Sequence, residues 1–199
     1  MFKIVVLVSG GGSNLQSLLD AVKLKKLQAE IIAVIADRPA YALVRAGNSN
    51  IDSFLIERKT WGTNLSEKIL EKIPKDTDLI VLAGFLSILS PSFINRWSGR
   101  IINIHPSLLP DFGGKGMHGM KVHQAVILSG CEKSGCSVHS VDAGIDTGEV
   151  ILQREVPVLK SDSPESLQKR ILEEEHILIV DAVDRIIKKS EKNLKQGRE

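Results

Sequence analysis

A parallel sheet covered by helices is the fold class this chain predicts, on three observations. Apolar, β-branched runs alternate with stretches of helical spacing. The runs are apolar at nearly every position, as strands with both faces covered must be. A run of glycines follows the first of them, at the turn from strand to helix. Together these read as repeated βαβ units of an α/β domain.

Taken in order, residues 2–8 predict the first strand, and 14–27 a helix through Leu15, Leu18, Leu19 and Val22. Residues 30–36 predict a second strand, 42–46 a short helix and 53–56 a third strand. A helix over 65–73 is closed by Pro74, a fourth strand covers 78–83, and a helix over 91–97 has Pro91 at its start, where proline suits the first turn. Residues 100–104 predict a fifth strand. The rhythm changes after Pro110. Residues 111–119 are glycine-rich and are expected to form a mobile loop, followed by a helix over 121–128. Two further strands, 136–141 and 150–158, flank the turn 142–148. Ser163 as N-cap and Pro164 as first helical residue open a long helix through Ile171, Ile177, Ile179, Val183 and Ile186. The polar stretch 188–199 is expected to fray.

The totals exclude several classes. At 199 residues with no linker or internal repeat, a single domain over 1–199 is expected. A net charge of +2, with acids interleaved among the bases, gives no field to attract nucleic acid or a membrane surface. The longest apolar runs, such as 4–8 and 31–36, are too short to span a bilayer, and the first residues lack signal-peptide architecture. Cys131 and Cys136, the only cysteines, do not form a CxxC pair or a disulfide framework. These features predict a reducing, cytoplasmic compartment and no zinc site.

Chemistry concentrates in three places. Asn103 and His105 lie two apart at the end of the fifth strand, which puts both on one face; Pro106 stops the strand just after them. An amide and an imidazole thus point together into the space beyond a strand end, where parallel α/β sheets bind ligands. The second place is Ser9-Gly10-Gly11-Gly12-Ser13-Asn14. Glycines let the backbone approach a ligand, Ser13 or Asn14 can cap the helix, and a helix N-terminus offers free N–H groups to a phosphate. The loop lacks a P-loop ending. Gly10 and Gly12 fit a dinucleotide fingerprint, but Leu15 stands at its third glycine; Asp37, after the second strand, keeps a nicotinamide reading open. The third place is the turn holding Asp142, Gly144, Asp146 and Gly148. Either aspartate is a turn former by type, and the functional reading is that one of them meets His105. His118 and His123 are expected to bond to solvent or the loop, Lys115 to be a solvated loop cation, and His139 to be a structural histidine.

In order along the chain, SGGGSNL, AGF, NIHPSLLP, GGKGMHGMKVH, GCSVH and DTGEVILQ resemble the phosphoribosylglycinamide formyltransferase family, over nearly the whole length. The resemblance implies a mostly parallel seven-stranded sheet with helices on both faces and a Rossmann-like N-terminal half. It implies formyl transfer from 10-formyltetrahydrofolate, as cosubstrate, to the amine of glycinamide ribonucleotide in purine synthesis, without a metal. By motif match the catalytic trio is Asn103, His105 and Asp146. The ribonucleotide is met by Gly12, Ser13, Asn14 and Glu175. The folate is met by Leu86, Ser87, Ile88, Leu89, Asn103, Ala143 and Gly144. About 1–100 is then a phosphate-binding half and about 101–199 a catalytic and folate-binding half. Ser87 stands where the family often carries Arg, and a second folate-side Arg aligns loosely with Asn64. In the implied chemistry Asn103 and a protonated His105 donate to the tetrahedral oxyanion, and Asp146 raises the His105 pKa. The partners implied are small molecules, with the chain a monomer or homodimer.

Three rivals remain. Methionyl-tRNA formyltransferase needs a further C-terminal domain and a more basic surface. Formyltetrahydrofolate hydrolase needs an N-terminal regulatory domain. A non-catalytic nucleotide-binding module uses the glycine loop alone and leaves Asn103, His105 and Asp146 unexplained.

Overall fold

The computed structural model describes residues 1–196. Five parallel strands, β1 (Phe2–Val8), β2 (Ala29–Ala36), β3 (Ser53–Leu55), β4 (Leu79–Leu82) and β5 (Ile101–His105), are followed by two antiparallel ones, β6 (Lys133–Ser140) and β7 (Val150–Pro157). They form one seven-stranded sheet in the order β3-β2-β1-β4-β5-β6-β7. β1 therefore has β2 on one side and β4 on the other. That reversal of strand order opens a crevice beyond the carboxyl ends of β1 and β4.

Burial explains why the β1 run reads as continuously apolar. Ile4, Val6 and Val8 face one layer, made by Leu15 and Leu18 of α1 (Ser13–Lys23), Val126 of α6 (Met120–Ser129), and Ile171, Ile179 and Val183 of α7 (Pro164–Gln196). Val5 and Leu7 face the opposite layer with Leu65 and Ile69 of α4 (Leu65–Leu70) and Phe93 of α5 (Pro91–Arg96). Alternation of side chains along a strand feeds both layers, so neither face tolerates a polar residue.

Helix lengths depart from expectation for one recurring reason. α1 stops at Lys23, because Lys25 turns left-handed (φ 57°) and the Lys26 N–H closes on the Ala21 carbonyl at 2.8 Å. Leu27 still plugs the core, from the turn beyond the helix, so the apolar spacing runs on past the helix end. Likewise α4 ends at Leu70 while Ile73 stays buried. The helix α2 (Tyr41–Asn48) is longer than expected. The short α3 (Arg58–Trp61) and the 3₁₀ turn Gly62–Asn64 bury no side chain, and so leave no apolar signal to read. β6 begins at Lys133 rather than 136, because its pairing with β7 continues to Pro157. The capping of α7 is reciprocal: the Ser166 N–H donates to the Ser163 hydroxyl and the Ser163 N–H to the Ser166 hydroxyl. That helix continues to Gln196 through the stretch expected to fray; an Asp184–Lys188 pair one turn apart supports its last described turns. Residues 197–199 of that stretch lie outside the described residues.

Phe93 is fully buried behind the segment that follows β4. Phe93→Ala should lower unfolding stability by about 3–5 kcal/mol in a urea titration. A loss under about 1 kcal/mol would mean that α5 packs more loosely than described.

Candidate functional site

A cleft of about 680 Å³ opens at the β1–β4 switch point, within the size range of small-molecule sites. Gly10, Gly11, Gly12, Ser13 and Asn14 line part of it, as they must if α1 offers its N-terminus to a ligand. Gly12 itself is the N-cap residue of α1, in the left-handed region at φ 71°, and no side chain caps the helix. This corrects the expected capping by Ser13 or Asn14: a left-handed Gly12 makes Ser13 the first helical residue. A Cβ on Gly12 would lie 2.6 Å from Ala42 Cβ, so helix packing as well as any ligand demands glycine there. The Arg45 Nε donates to the Gly11 carbonyl at 2.8 Å, and the Ala42 N–H to the Gly10 carbonyl at 3.2 Å, which hold the loop from behind. Asn14 is turned inward, its Nδ2 donating to Glu175 Oε2 at 2.7 Å, while its Oδ1 has no partner. Glu175 lines the cleft from α7; burial pushes its carboxyl above the ordinary range, against the pull of the Asn14 amide.

The second cluster is built by the reversal from parallel to antiparallel strands. In the β5–β6 register Asn103 faces His139 and His105 faces Ser137. His139 Nδ1 donates to the Ser140 carbonyl at 2.8 Å, which leaves Nε2 of the neutral ring to accept from Asn103 Nδ2 at 3.1 Å. The amide of Asn103 is thereby oriented, with a second N–H left over in the cleft that Asn103 lines. His105 is buried; its Nε2 meets the Phe112 carbonyl at 2.9 Å and its Nδ1 lies 3.5 Å from Asp146 Oδ2. Asp146 Oδ1 lies 3.6 Å from His139 Nε2, and Oδ2 accepts the Gly114 N–H at 3.0 Å. One carboxylate thus faces two imidazoles.

Of the two aspartates in the turn, it is Asp146 that meets His105. Asp142 Oδ1 accepts from the Gly144 N–H at 3.0 Å and from Thr147 Oγ1 at 2.7 Å, closing the turn on itself. Asp146 has a left-handed backbone (φ 58°), a conformation aspartate tolerates better than most side chains. Burial opposes ionisation of Asp146, but the His139 ring, the charge of His105 and the Gly114 N–H together hold its pKa below the ordinary range. For His105, the Asp146 carboxylate raises the pKa as expected but does not set the net direction. Burial outweighs the pull of the Phe112 carbonyl and the Asp146 carboxylate, His139 adds to the lowering, and the His105 pKa falls below its ordinary value.

The wall expected to meet a folate follows β4. Leu86, Ser87, Ile88 and Leu89 all line the cleft, as do Ala143 and Gly144 of the acidic turn. Ile88, at 76% exposure, offers an apolar surface with no protein cover. The Ser87 hydroxyl points away from any ligand and donates to Asp37. Asn64 is a correction: it is exposed in the 3₁₀ turn and does not line the cleft, because α3 and that turn carry the chain past the rim. Arg58, three residues beyond the end of β3 in the same connection, lines the cleft instead. Asp37, the acid left open for a ribose, is buried and bound to Arg38 at 2.9 Å, so it faces no ligand. His118 and Lys115 are exposed on the loop. His123 is a second correction: α6 buries it, its Nδ1 has no partner, and burial with the nearby charge of His105 lowers its pKa to about 4. Sequence reasoning missed the central place of His139, and Phe112 and Gly114 as loop contacts. The pairing of GCSVH against NIHP was the available signal, but its register is non-local. Among the described residues, no group of His, Cys, Asp or Glu is arranged to hold a metal ion, and no helix is long and apolar enough to cross a membrane.

Known proteins resemble this chain in sequence and structure. A family model described as formyl transferase matches residues 2–183. A phosphoribosylglycinamide formyltransferase of Haemophilus influenzae is 39% identical over 180 residues, which cover 88% of this chain and 82% of that protein. The trifunctional purine biosynthetic protein adenosine-3 of Chironomus tentans is 40% identical over 181 residues; the chain spans 13% of that protein's length. The crystal structure of glycinamide ribonucleotide transformylase 1 from Symbiobacterium toebii superposes with a TM-score of 0.86 at 36% identity, covering 92% of this chain and 86% of that one.

The glycine loop yields a stability contrast. A Cβ on Gly11 meets nothing within 4 Å, whereas one on Gly12 meets Ala42 on a left-handed backbone. Gly12→Ala should cost at least about 1–2 kcal/mol from backbone handedness alone. Gly11→Ala should stay within about 0.5 kcal/mol of the parent in thermal or urea unfolding. Equal losses for the two variants would remove the packing role assigned to Gly12.

Proposed function

The chain belongs to the formyl transferase family, and on that premise we propose that it transfers the formyl group of 10-formyltetrahydrofolate to the amine of glycinamide ribonucleotide, a step of purine synthesis. The observation that carries this reading is the convergence of Asn103, His105 and Asp146 on the cleft that the glycine loop also lines. The ribonucleotide phosphate is taken by the backbone at Gly12, Ser13 and Asn14, and its ribose by Glu175. The folate lies against Leu86, Ile88, Leu89, Ala143 and Gly144, with the backbone of Ser87 beside it. Each substrate then draws on both halves of the chain, since Glu175 comes from α7 and the folate wall follows β4. The assay's partners are small molecules.

The chemistry follows from the groups in place. The substrate amine attacks the formyl carbon, and the C=O pair moves onto oxygen. The free N–H of Asn103 donates to that oxyanion, an interaction stronger in the transition state than with the ground-state carbonyl. The amine must lose a proton. His105, with its lowered pKa, is neutral near pH 7 and is free to take it. The imidazolium formed faces Asp146, so a buried lone carboxylate becomes an ion pair. In the resting structure Nε2–H donates to the Phe112 carbonyl; when the substrate displaces that carbonyl, the ring proton sits on Nδ1, facing Asp146, and Nε2 is free to accept. Collapse of the tetrahedral adduct breaks the bond to the folate nitrogen, which leaves with a proton returned through His105. The products are formylated ribonucleotide and tetrahydrofolate.

Supplied with 10-formyltetrahydrofolate, the protein should formylate glycinamide ribonucleotide without added metal or nucleoside triphosphate. Turnover with water or initiator methionyl-tRNA, and none with the ribonucleotide, would overturn the assignment.

Asp146→Asn keeps the shape and removes the charge. It should lower kcat by about 10²–10⁴ with a smaller change in KM, the usual loss for one positioned acid–base partner. Asp142→Asn should cost far less. The pH profile gives the sign. As pH falls through the His105 pKa the base is protonated and kcat drops. Removing Asp146 removes an influence that raises that pKa, so the acid limb of the variant should move to lower pH. An unmoved limb, or a crippled Asp142→Asn beside a benign Asp146→Asn, rules out the role given to Asp146.

A further inference from the structure

Asp37 is buried at the carboxyl end of β2, its side chain wholly shielded, and it does not itself line the cleft. A buried carboxylate is costly unless it is paired and hydrogen-bonded, so its partners indicate what it is for. Arg38 neutralises it through Nε and Nη2, both at 2.9 Å. The Ser87 hydroxyl donates to its Oδ2, and the Ser9 hydroxyl also favours its charged form. Ser9 is bound in turn to the same segment: its hydroxyl accepts the Leu86 N–H at 2.8 Å, and its N–H donates to the Gly84 carbonyl at 3.1 Å. The carboxylate and Ser9 therefore grip residues 84–87 from behind.

That segment has no regular secondary structure of its own, and Gly84 lies in the left-handed region at φ 71°. Its shape depends on side-chain bonds rather than on a helix or strand ladder. Phe85 and Leu89 are buried and anchor it, while Leu86 and Ile88 are turned out into the cleft at 44% and 76% exposure. A shift at Ser87 moves both exposed neighbours. We propose that Asp37 is a positioning residue for the formyl donor: its carboxylate, acting through Ser87 and Ser9, sets the wall against which the flat ring of the folate lies, and leaves the ribonucleotide side untouched. The inference rests on the proposed function only for the identity of the ligand.

The test separates the two substrates. Asp37→Ala should raise KM for 10-formyltetrahydrofolate about tenfold, the scale of one lost charge-assisted hydrogen bond, and leave KM for the ribonucleotide within about twofold. Ser87→Ala should raise the folate KM by a similar factor. The double variant should be no worse than the poorer single one, because both remove the same contact. Asp37→Asn keeps an oxygen for Ser87 and should recover most of the affinity. If Asp37→Ala does not fold, Ser87→Ala and Asp37→Asn still decide the matter. Parallel rises in both KM values, additive effects in the double variant, or an unchanged folate KM in Ser87→Ala overturn the proposal. Titration of folic acid into the parent and Ser87→Ala reads the same contact without turnover. A parent that binds folic acid but formylates nothing would refute the function and leave this inference standing; equal binding by parent and Ser87→Ala would refute the inference alone.

Discussion

One carboxylate shared by two imidazoles governs the site. Asp146 lies 3.5 Å from His105 and 3.6 Å from His139, and it has a single backbone N–H donor, from Gly114. Burying a lone anion costs several kcal/mol, and one hydrogen bond offsets only part of that. The carboxylate therefore favours a proton on His105, although burial of the ring outweighs it. The charge of His139 also opposes one on His105. Burial adds to this by keeping His105 neutral until a proton is offered. In the proposed reaction the net effect is a base that is free at rest and stabilised once it has worked.

Keeping Asp146 there requires the surrounding fold. Its backbone is left-handed, and the turn that imposes this is closed by Asp142 through Gly144 and Thr147. The histidines reach it from neighbouring antiparallel strands, a pairing available only because the sheet changes direction after β5. Behind them Ser137 is fully buried; its hydroxyl donates to the Ser107 carbonyl at 2.6 Å and accepts from the Leu109 N–H at 3.0 Å. The chain leaving His105 is thus fixed to β6. The glycine loop enters the same cleft from the parallel half, so the two sheet regimes meet at the place where two substrates must meet.

The strands and the two layers that cover them were legible because a doubly covered strand writes its burial into every residue, as in 4–8. Asn103 and His105 were legible because their spacing fixes their common face. What failed depended on non-local geometry or on backbone angle. Spacing alone did not separate Asp142 from Asp146, the same residue type in one turn; the motif position chose Asp146, and the structure sets it apart by a positive φ and by its approach to His105. His139 read as structural because its partner, Asn103, is set by an antiparallel register 36 residues away in sequence. His123 read as a loop residue because α6 has an apolar stripe too weak to show which face it buries; the structure puts His123 inside with Val122 and Val126. Asn64 was assigned across a connection whose short polar helices bury nothing and so fix no alignment.

The positions that break local rules coincide with the cleft. Glu175 stands on the apolar stripe of α7, between Ile171 and Ile179, where a leucine would pack better and carry no desolvation cost. Its carboxyl is pushed upward by that burial and is held by the Asn14 amide, whose own oxygen lacks a partner. Ile88 breaks the opposite rule, exposing most of an aliphatic side chain in a segment otherwise anchored by buried neighbours. Asp146 breaks a backbone rule. Each departs from what packing alone favours, and all three line one cavity. A chain folded for stability alone has no reason to gather a buried acid, an uncovered isoleucine and a left-handed aspartate around the same empty volume. On the proposed function, bound substrates supply what each lacks: donors for the carboxylate, an apolar face for the isoleucine, and a proton for the ring beside the aspartate.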